Sequence, residues 1–162
     1  MADFVFRKLE ENEVDIVCDM IQDRMTWMEE HGIHQWVKGD YDTYYDYAYF
    51  LNKQKNGELF GLVKDGRVIS CAVLLEEDTR WPDSPKARYL HNFVSCTDVK
   101  DAGKLFIEYA EAYSKKEGKA YFRLDSDVDN KKLAEYYTSL GYVERGRCEA
   151  NGYFGILREK KL

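Results

Sequence analysis

The order of apolar and polar residues is most informative between residues 87 and 148, where strands and helices alternate. Apolar runs predict strands at 87–95, 121–127 and 142–148, with helical patterns between them. A strand, a helix and a second strand within about forty residues predict a right-handed crossover that joins two parallel strands. The helix after residue 95 begins at Ala102-Gly103-Lys104. Its free N–H groups and positive dipole end predict an anion site that suits a phosphate.

The N-terminal part of the chain predicts a short strand and two helices. Residues 4–6 form the strand, and Asn12 is expected to cap a helix whose apolar residues recur at helical spacing up to about Gly32. A second helix is predicted over 42–55. The residues expected along its apolar face are Tyr44, Tyr47, Ala48 and Leu51.

Two dipeptides that favour tight hairpin turns lie between apolar runs. Asp65-Gly66 separates 59–64 from 67–75, and Asn151-Gly152 separates 142–148 from 153–157. The predicted order is therefore β-α-α-β-β-β-α-β-α-β-β. This is an α/β (α+β) fold in which a mixed sheet has antiparallel arms, one parallel crossover and covering helices.

Length and charge limit the class of protein and its partners. The chain has 162 residues, enough for a single domain over 1–162, and a formal charge of -6. An acidic surface repels a polyphosphate backbone, so nucleic acid is not an expected partner, whereas a cationic substrate is mildly favoured. No apolar run approaches the roughly 18 residues that a membrane span needs, so no membrane association is predicted.

Cysteine and histidine spacing predicts neither a disulfide framework nor a metal site. The four cysteines are Cys18, Cys71, Cys96 and Cys148, and none is in a C-x-x-C arrangement. Scattered cysteines of this kind are typical of reduced thiols in a cytoplasmic protein, which is the predicted location. His31 and His34 lie three residues apart without a third ligand at fitting spacing, so we expect local hydrogen bonding and no metal.

Three segments make the sequence similar to the GCN5-related N-acetyltransferase (GNAT) superfamily along nearly its whole length. They are the strand-loop-helix that ends in Ala102-Gly103-Lys104, the strand YFRLDSD followed by Asp129-Asn130, and the stretch AEYYTSLGYVERG. The stretch HGIHQW near residue 31 is similar to a group of small bacterial members. The resemblance implies the GNAT fold and the transfer of an acetyl group from acetyl-CoA to an amine.

The resemblance also implies which residues bind the co-substrate. In this family two central parallel strands separate, the pantetheine arm of acetyl-CoA enters between them, and the pyrophosphate lies on the N-terminus of the following helix. The residues implied on strand 90–95 and loop 99–104 are Phe93, Val94, Ser95, Val99, Lys100, Asp101, Ala102, Gly103 and Lys104. Asn130 matches a position that bonds the pantetheine amide, and Tyr137 matches the tyrosine that protonates the departing CoA thiolate.

The pyrophosphate loop departs from the family pattern Q/R-x-x-G-x-G/A. It reads DVKDAG, so Asp98 replaces the basic residue and Asp101 replaces the first glycine. A carboxylate near a pyrophosphate repels it, and Lys100 and Lys104 offset part of that repulsion. The alternative function is therefore a non-catalytic GNAT-like module that binds CoA weakly or not at all.

Amide formation from a thioester needs a neutral amine, a polarised carbonyl and a protonated leaving group. Backbone N–H groups near Phe93 and Val94 would polarise the carbonyl, and Tyr137 would be the acid or, alternatively, a core aromatic of an amphipathic helix. Strand parity groups His91 with Phe93 and Ser95. Imidazole titrates near neutrality, which makes His91 a candidate base beside the alternatives Glu76 and Glu77.

The acceptor is predicted to be a primary amine on a small molecule or a peptide. The run DYDTYYDYAYF at 40–50 mixes carboxylates with aromatic rings, which suits a cationic amine and equally suits an ordinary amphipathic helix. The predicted reaction is direct attack in a ternary complex, without a covalent enzyme intermediate, and a longer acyl thioester is the alternative donor. A homodimer through the C-terminal hairpin is predicted because an edge strand needs cover.

Overall fold

The computed structural model describes residues 3–162. The elements in chain order are β1 (Phe4–Lys8), α1 (Val14–Glu30), α2 (Tyr41–Tyr44), α3 (Tyr47–Lys55), β2 (Leu59–Lys64), β3 (Arg67–Leu75), β4 (Ala87–Ser95), α4 (Ala102–Lys116), β5 (Tyr121–Asp127), α5 (Lys131–Ser139), β6 (Val143–Ala150) and β7 (Tyr153–Lys161). A short 3-10 turn at Glu11–Glu13 precedes α1. The predicted order is confirmed, except that one predicted helix is divided into α2 and α3.

The strands form a seven-stranded sheet in the order β1-β2-β3-β4-β5-β7-β6. The pairs β1–β2, β2–β3, β5–β7 and β6–β7 are antiparallel, whereas β4 and β5 are parallel. The helix α4 connects the two parallel strands, since a parallel pair cannot be joined by a tight turn. The prediction of a mixed sheet with one parallel crossover is confirmed.

The two parallel strands pair along only part of their length. The register joins Ala87 to Tyr121, Arg88 to Phe122 and Tyr89 to Arg123. Leu90 and His91 continue β4, and Leu124 and Asp125 continue β5, but the register does not extend to them. The pairing of the two parallel strands therefore ends after a short section, as the resemblance implied.

Both predicted hairpins are present with the turn geometry that their sequences favour. Asp65 and Gly66 have φ values of 48° and 83°, and Asn151 and Gly152 have φ values of 51° and 80°. Positive φ at both central residues of a two-residue turn matches the right-handed twist of the flanking strands. The second hairpin is longer than predicted, since β6 extends to Ala150 and β7 to Lys161.

The predicted N-cap of the first helix is wrong. Asn12 lies inside the 3-10 turn, and the start of α1 is organised by glutamates that the sequence pattern did not single out. The Glu13 carboxylate accepts a hydrogen bond from the Glu10 backbone N–H at 2.9 Å and two from the Arg7 guanidinium at 2.8 and 2.9 Å. The predicted end near Gly32, which has a φ of 69°, is confirmed.

The predicted helix over 42–55 and its apolar face are also wrong. The chain leaves helical geometry at Tyr45, and α3 starts afresh because the Asp46 carboxylate accepts the Tyr49 N–H at 2.9 Å. The interruption changes which residues face inward. Phe50 is buried, whereas three residues of the predicted apolar face, Tyr44, Tyr47 and Ala48, are exposed.

The chain forms two compact units, each with its own apolar core. The first comprises Met1–Val73 and Asn92–Tyr109, and Phe6 packs there against Phe60 and Phe106 with ring centroids 5.5 and 5.4 Å apart. The second comprises Leu74–His91 and Ala110–Leu162. Its core includes Trp81, Ala87, Tyr89 and Leu157. Among residues 3–162, no helix has both the length and the apolar composition needed to cross a bilayer.

Candidate active site

The loop before α4 keeps the backbone shape of the family pattern although Asp101 replaces the first glycine of that pattern. Asp101 has a φ of 60°, in the left-handed region that glycine enters most easily and that aspartate enters more readily than most residues. Its carbonyl accepts the Leu105 N–H at 2.9 Å and so begins the first turn of the helix. Asp101 therefore supplies the bend for which the family pattern uses glycine.

The second departure in this loop, Asp98, is matched by a cation. Both Asp98 carboxylate oxygens accept hydrogen bonds from the Arg67 guanidinium, at 2.8 and 2.9 Å. These bonds, together with one from the Cys96 thiol, lower the pKa of Asp98 to about 2. The negative charge at the start of the loop is thus paired with Arg67 of β3. Sequence reasoning missed this pair, because residues 67 and 98 meet only after folding.

The start of α4 lies very close to β4. A Cβ added at Gly103 would lie 3.2 Å from Cζ of Phe93 and 3.3 Å from Oγ of Ser95, both tighter than ordinary contacts. Phe93 and Ser95 therefore share the face of β4 that meets α4, as strand parity predicts. Ala102 is buried, and its carbonyl accepts a hydrogen bond from the Ser70 hydroxyl at 2.9 Å.

The other residues implied for this loop and strand differ in exposure. Lys100 and Lys104 are exposed, so their ammonium groups can reach an anion at the start of α4. Val99 is half-buried, and Val94 is buried within the first unit. The Ser95 carbonyl accepts a hydrogen bond from the Arg24 guanidinium at 2.8 Å, which fixes the end of β4 against α1.

His91 is held by a carboxylate that the sequence reading did not identify. Its Nε2 atom lies 2.8 Å from Oδ2 of Asp78, and only 15% and 8% of the two side chains are exposed. Burial raises the pKa of Asp78, but the hydrogen bond and charge of His91 and the bond from the Arg80 N–H outweigh it, so the pKa lies below its ordinary value. The Asp78 carboxylate therefore fixes the orientation of the imidazole through this contact.

A second carboxylate, Asp125, lies beside this pair. Asp125, Asp78 and His91 each place one polar atom within 4.8 Å of the others, a spacing that a metal ion could bridge. The Asp125 carboxylate, however, already accepts a hydrogen bond from Tyr153 at 2.8 Å and lies 3.2 Å from the Arg80 guanidinium. The group is a hydrogen-bonded network with its own cation, and the absence of a metal stays a prediction.

The two glutamates named as alternative bases lie just after β3 and are exposed. Glu76 forms an ion pair with Lys119 at 3.1 Å and lies 3.9 Å from Arg88, and the Lys119 hydrogen bond lowers the pKa of Glu76. The ion pair favours the ionised form of Glu76, and the Glu76 carboxylate is already engaged by Lys119. Glu77 follows it in the loop, and a role for Glu77 stays a prediction.

Tyr137 and Asn130 belong to α5 and have structural partners of their own. Tyr137 is buried, with its ring centroid 5.4 Å from that of Tyr136 and 5.8 Å from that of Tyr142. Burial raises the pKa of Tyr137 well above its ordinary value, so the hydroxyl carries a proton at neutral pH. Asn130 is the N-cap of α5, and its side-chain oxygen accepts the Leu133 N–H at 3.0 Å. Their implied roles toward acetyl-CoA stay predictions.

Comparisons with known proteins identify similar structures but no sequence family. No protein-family model matches the chain, and no curated protein matches it. A GNAT-family acetyltransferase from Listeria monocytogenes has a TM-score of 0.80 at 22% identity, over 98% of this chain and 95% of that one. The PaiA N-acetyltransferase from Thermoplasma acidophilum, in complex with coenzyme A, has a TM-score of 0.75 at 18% identity, over 99% of both chains.

A third similar structure is the ribosomal-protein-alanine N-acetyltransferase from Brucella melitensis. Its TM-score is 0.68 at 13% identity, over 98% of this chain and 99% of that one. Such similarities cover nearly the whole length of both chains, and they agree with the mixed sheet. The chain has the acyl-CoA N-acyltransferase fold of the GCN5-related N-acetyltransferases.

Proposed function

We propose that this chain is an N-acetyltransferase that moves an acetyl group from acetyl-CoA to a primary amine on a small molecule or a peptide. The observation that carries the proposal is the early end of the β4–β5 pairing at Tyr89. A strand edge that leaves its partner offers N–H and C=O groups to an extended ligand. The pantetheine arm of acetyl-CoA is such a ligand, since it is extended and carries two amide groups.

The loop Val99–Lys104 supports binding of the pyrophosphate. The left-handed Asp101 forms the turn, Gly103 lets the helix start approach β4, and Arg67 neutralises Asp98. The N-terminus of α4 then presents free N–H groups with the positive end of the helix dipole. The replacement of a glycine and a basic residue by two aspartates therefore does not by itself favour the non-catalytic alternative.

The reaction we propose is a direct transfer with three protein contributions. His91, oriented by Asp78, accepts a proton from the amine, and the neutral nitrogen attacks the thioester carbon. Peptide N–H groups at Phe93 and Val94 stabilise the oxyanion that forms. As the C–N bond forms and the C–S bond breaks, Tyr137 gives its proton to the departing thiolate. The attacking nitrogen loses its second proton as the amide forms, and that proton restores the Tyr137 hydroxyl by way of solvent. Of the alternative bases, Glu76 is exposed and already engaged by Lys119, and Glu77 is exposed, so we prefer the half-buried His91.

Two similar proteins support the co-substrate and one of the acceptor classes in the proposal. The structure from Thermoplasma acidophilum is an N-acetyltransferase with bound coenzyme A, and the protein from Brucella melitensis is named for acetylation of a ribosomal protein. We therefore propose a screen of acetyl-CoA turnover over polyamines, amino acids, aminoglycosides and peptides with free N-termini. CoA release, measured with a thiol reagent and corrected for the four cysteines of the chain, gives the rate.

A thermal-shift titration with acetyl-CoA separates the proposal from the non-catalytic alternative. A ligand that binds only the folded state raises the melting temperature. At a free ligand concentration of a hundred times its Kd, it adds about 2.7 kcal/mol to the free energy of unfolding. A shift together with amine-dependent CoA release supports the enzyme. A shift without release on any amine of the screen favours a binding module. The absence of a shift with acetyl-CoA or longer acyl-CoA thioesters contradicts the enzyme and favours the non-catalytic module.

We also propose that the chain forms a homodimer through its C-terminal hairpin. The strand β6 lies at one edge of the sheet, and Val143 and Phe154 are half-exposed on the hairpin. An edge strand with apolar side chains is a site for pairing with a second copy. Light scattering of the wild type and of a variant with Phe154 replaced by Lys gives the mass: a dimer that dissociates in the variant supports the proposal.

A further inference from the structure

Asn92, near the middle of β4, has a backbone conformation that is uncommon inside a strand. Its φ is 53°, in the left-handed region, where a residue with a Cβ is normally disfavoured. Its side chain forms two hydrogen bonds. The Tyr49 hydroxyl donates to Oδ1 at 2.9 Å, and Nδ2 donates to the Tyr41 hydroxyl at 2.6 Å. We call Tyr41, Tyr49 and Asn92 the asparagine clamp.

The two tyrosines of the asparagine clamp are fixed by a ladder of aromatic rings. Ring centroids are 4.7 Å apart for Trp36 and Tyr41, 4.6 Å for Tyr41 and Tyr45, and 4.9 Å for Tyr45 and Tyr49. Burial raises the pKa of Tyr41 well above its ordinary value, so its hydroxyl stays protonated at neutral pH. Both hydrogen-bond partners of Asn92 are therefore tyrosines that are packed against neighbouring rings.

The backbone at Asn92 affects the peptide group that follows it. A left-handed residue within a strand interrupts the regular alternation and changes the direction of the next N–H, as in a β-bulge. That next residue is Phe93, whose ring lies against Gly103 and packs on Phe106 at a centroid distance of 5.4 Å. Phe93 is thus fixed by its own side chain and, through the preceding peptide, by the asparagine clamp.

We propose that Tyr41 and Tyr49 are positioning residues that hold Asn92 left-handed and thereby aim the Phe93 N–H at the thioester oxygen. This inference rests on the proposed function. Strained backbone persists only where its surroundings enforce it, and the clamp is such an enforcing contact. A donor aimed at a developing oxyanion acts mainly on the rate of the chemical step. Loss of the clamp should therefore lower kcat and leave the affinity for acetyl-CoA nearly unchanged.

Four variants test the inference with the amine that the turnover screen identifies. Y41F/Y49F keeps the ring ladder and removes both hydroxyls, and we expect kcat to fall about tenfold with KM for acetyl-CoA within about twofold of the wild type. N92A, which loses both the side-chain bonds and the tolerance for positive φ, should lose at least as much. N92G should recover part of kcat, because glycine reaches the left-handed region freely. Y109F, at an exposed tyrosine of α4 outside the proposed site, is the matched control and should not change kcat.

An NMR measurement tests the clamp without any turnover. The nuclear Overhauser effect between the amide and α protons of one residue is strong when φ is positive, so Asn92 should show a strong signal in the wild type and a weak one in Y41F/Y49F. An unchanged signal in the double variant overturns the holding role. A weakened signal with an unchanged kcat overturns the aiming role. If the wild type transfers no acetyl group, the proposed function and the aiming role fall together, while the signal still decides whether the tyrosines hold Asn92.

Discussion

Two regions of this protein support the proposed chemistry by different physical means. The loop Val99–Lys104 acts through its backbone. It contributes Asp101 with its positive φ, Gly103 with no side chain, and the N–H groups at the start of α4. The network of Asp78, His91 and Asp125 acts through side chains, each held by a specific partner. A region that works through its backbone accepts a change of residue that preserves φ. A region that works through side chains does not, and the predictions below test this difference.

The largest effect is expected for replacement of a proton carrier. Y137F removes the hydroxyl and keeps the buried ring, so kcat should fall by about 100-fold with little change in KM for acetyl-CoA. The cause is loss of the proton given to the leaving thiolate. Steady-state kinetics from pH 6 to pH 10 measures it, and the melting temperature of the variant is the control for folding. A variant as active as the wild type at neutral pH would leave Tyr137 as a core aromatic only.

A similarly large effect is expected at His91 and a smaller one at Asp78. H91Q removes the proposed base and should lower kcat/KM about 100-fold at neutral pH, whereas D78N keeps the shape but not the charge and should cost about tenfold. A purely structural Asp78 would change the melting temperature of D78N and leave kcat/KM unchanged.

In the loop Val99–Lys104, the effect of a substitution at Asp101 should depend on whether the new residue tolerates positive φ, and not on its charge alone. D101V places a β-branched residue at a φ of 60°, which costs about 1–2 kcal/mol, and should weaken acetyl-CoA binding about tenfold. D101G and D101N, which tolerate positive φ, should bind at least as tightly as the wild type. Isothermal titration calorimetry with CoA measures all three. Equal loss in D101N and D101V would show that the loop depends on the carboxylate.

A smaller effect is expected from the Arg67–Asp98 pair. R67A leaves the Asp98 charge unmatched near the pyrophosphate, so CoA affinity should fall a few-fold, and D98N in the same chain should restore it. The double-mutant cycle isolates the pairing. If R67A/D98N binds CoA as poorly as R67A, Arg67 acts on the cofactor directly.

The smallest effect concerns acid stability. The folded-state pKa of Asp98 is about 2, below its ordinary 3.8. The ion pair therefore stabilises the folded state above about pH 4, and this contribution is lost as the pH falls through the folded-state pKa. Since the side chain is well exposed, the slope of unfolding free energy against pH should change only slightly in D98N. Urea denaturation of the wild type and of D98N between pH 5 and pH 2 measures the difference.

The parts of the structure that were predicted correctly depend on short-range signals. Asp65-Gly66 and Asn151-Gly152 determine their turns because their own φ preferences match the hairpin geometry. The division of the helix at Tyr45 was missed, because Asp46 was read as a polar position on a continuous face and not as a cap. An aspartate before a run of aromatic residues was the available signal.

The partners of the candidate site could not be found from sequence. Asp78 lies 13 residues before His91 in a loop with no regular period, and Arg67 lies 31 residues before Asp98. Neither distance corresponds to a helical or strand repeat, so only the folded sheet brings these side chains together. The left-handed conformation of Asn92 is equally hidden, since strand parity assumes an uninterrupted β4.

The close approach at Gly103 makes two positions interdependent. A methyl group there would press on the tip of the Phe93 ring and on the Ser95 hydroxyl, so the clearance between α4 and β4 depends on position 103 and on the side chains that face it. Alanine at 103 requires these side chains to shift by a few tenths of an ångström, and a shorter side chain at 93, as in G103A/F93L, should relieve the tighter of the two contacts. Across distant sequences with this fold, such a pair should change together or not at all, which makes it a covariation signal that can be read without any structure.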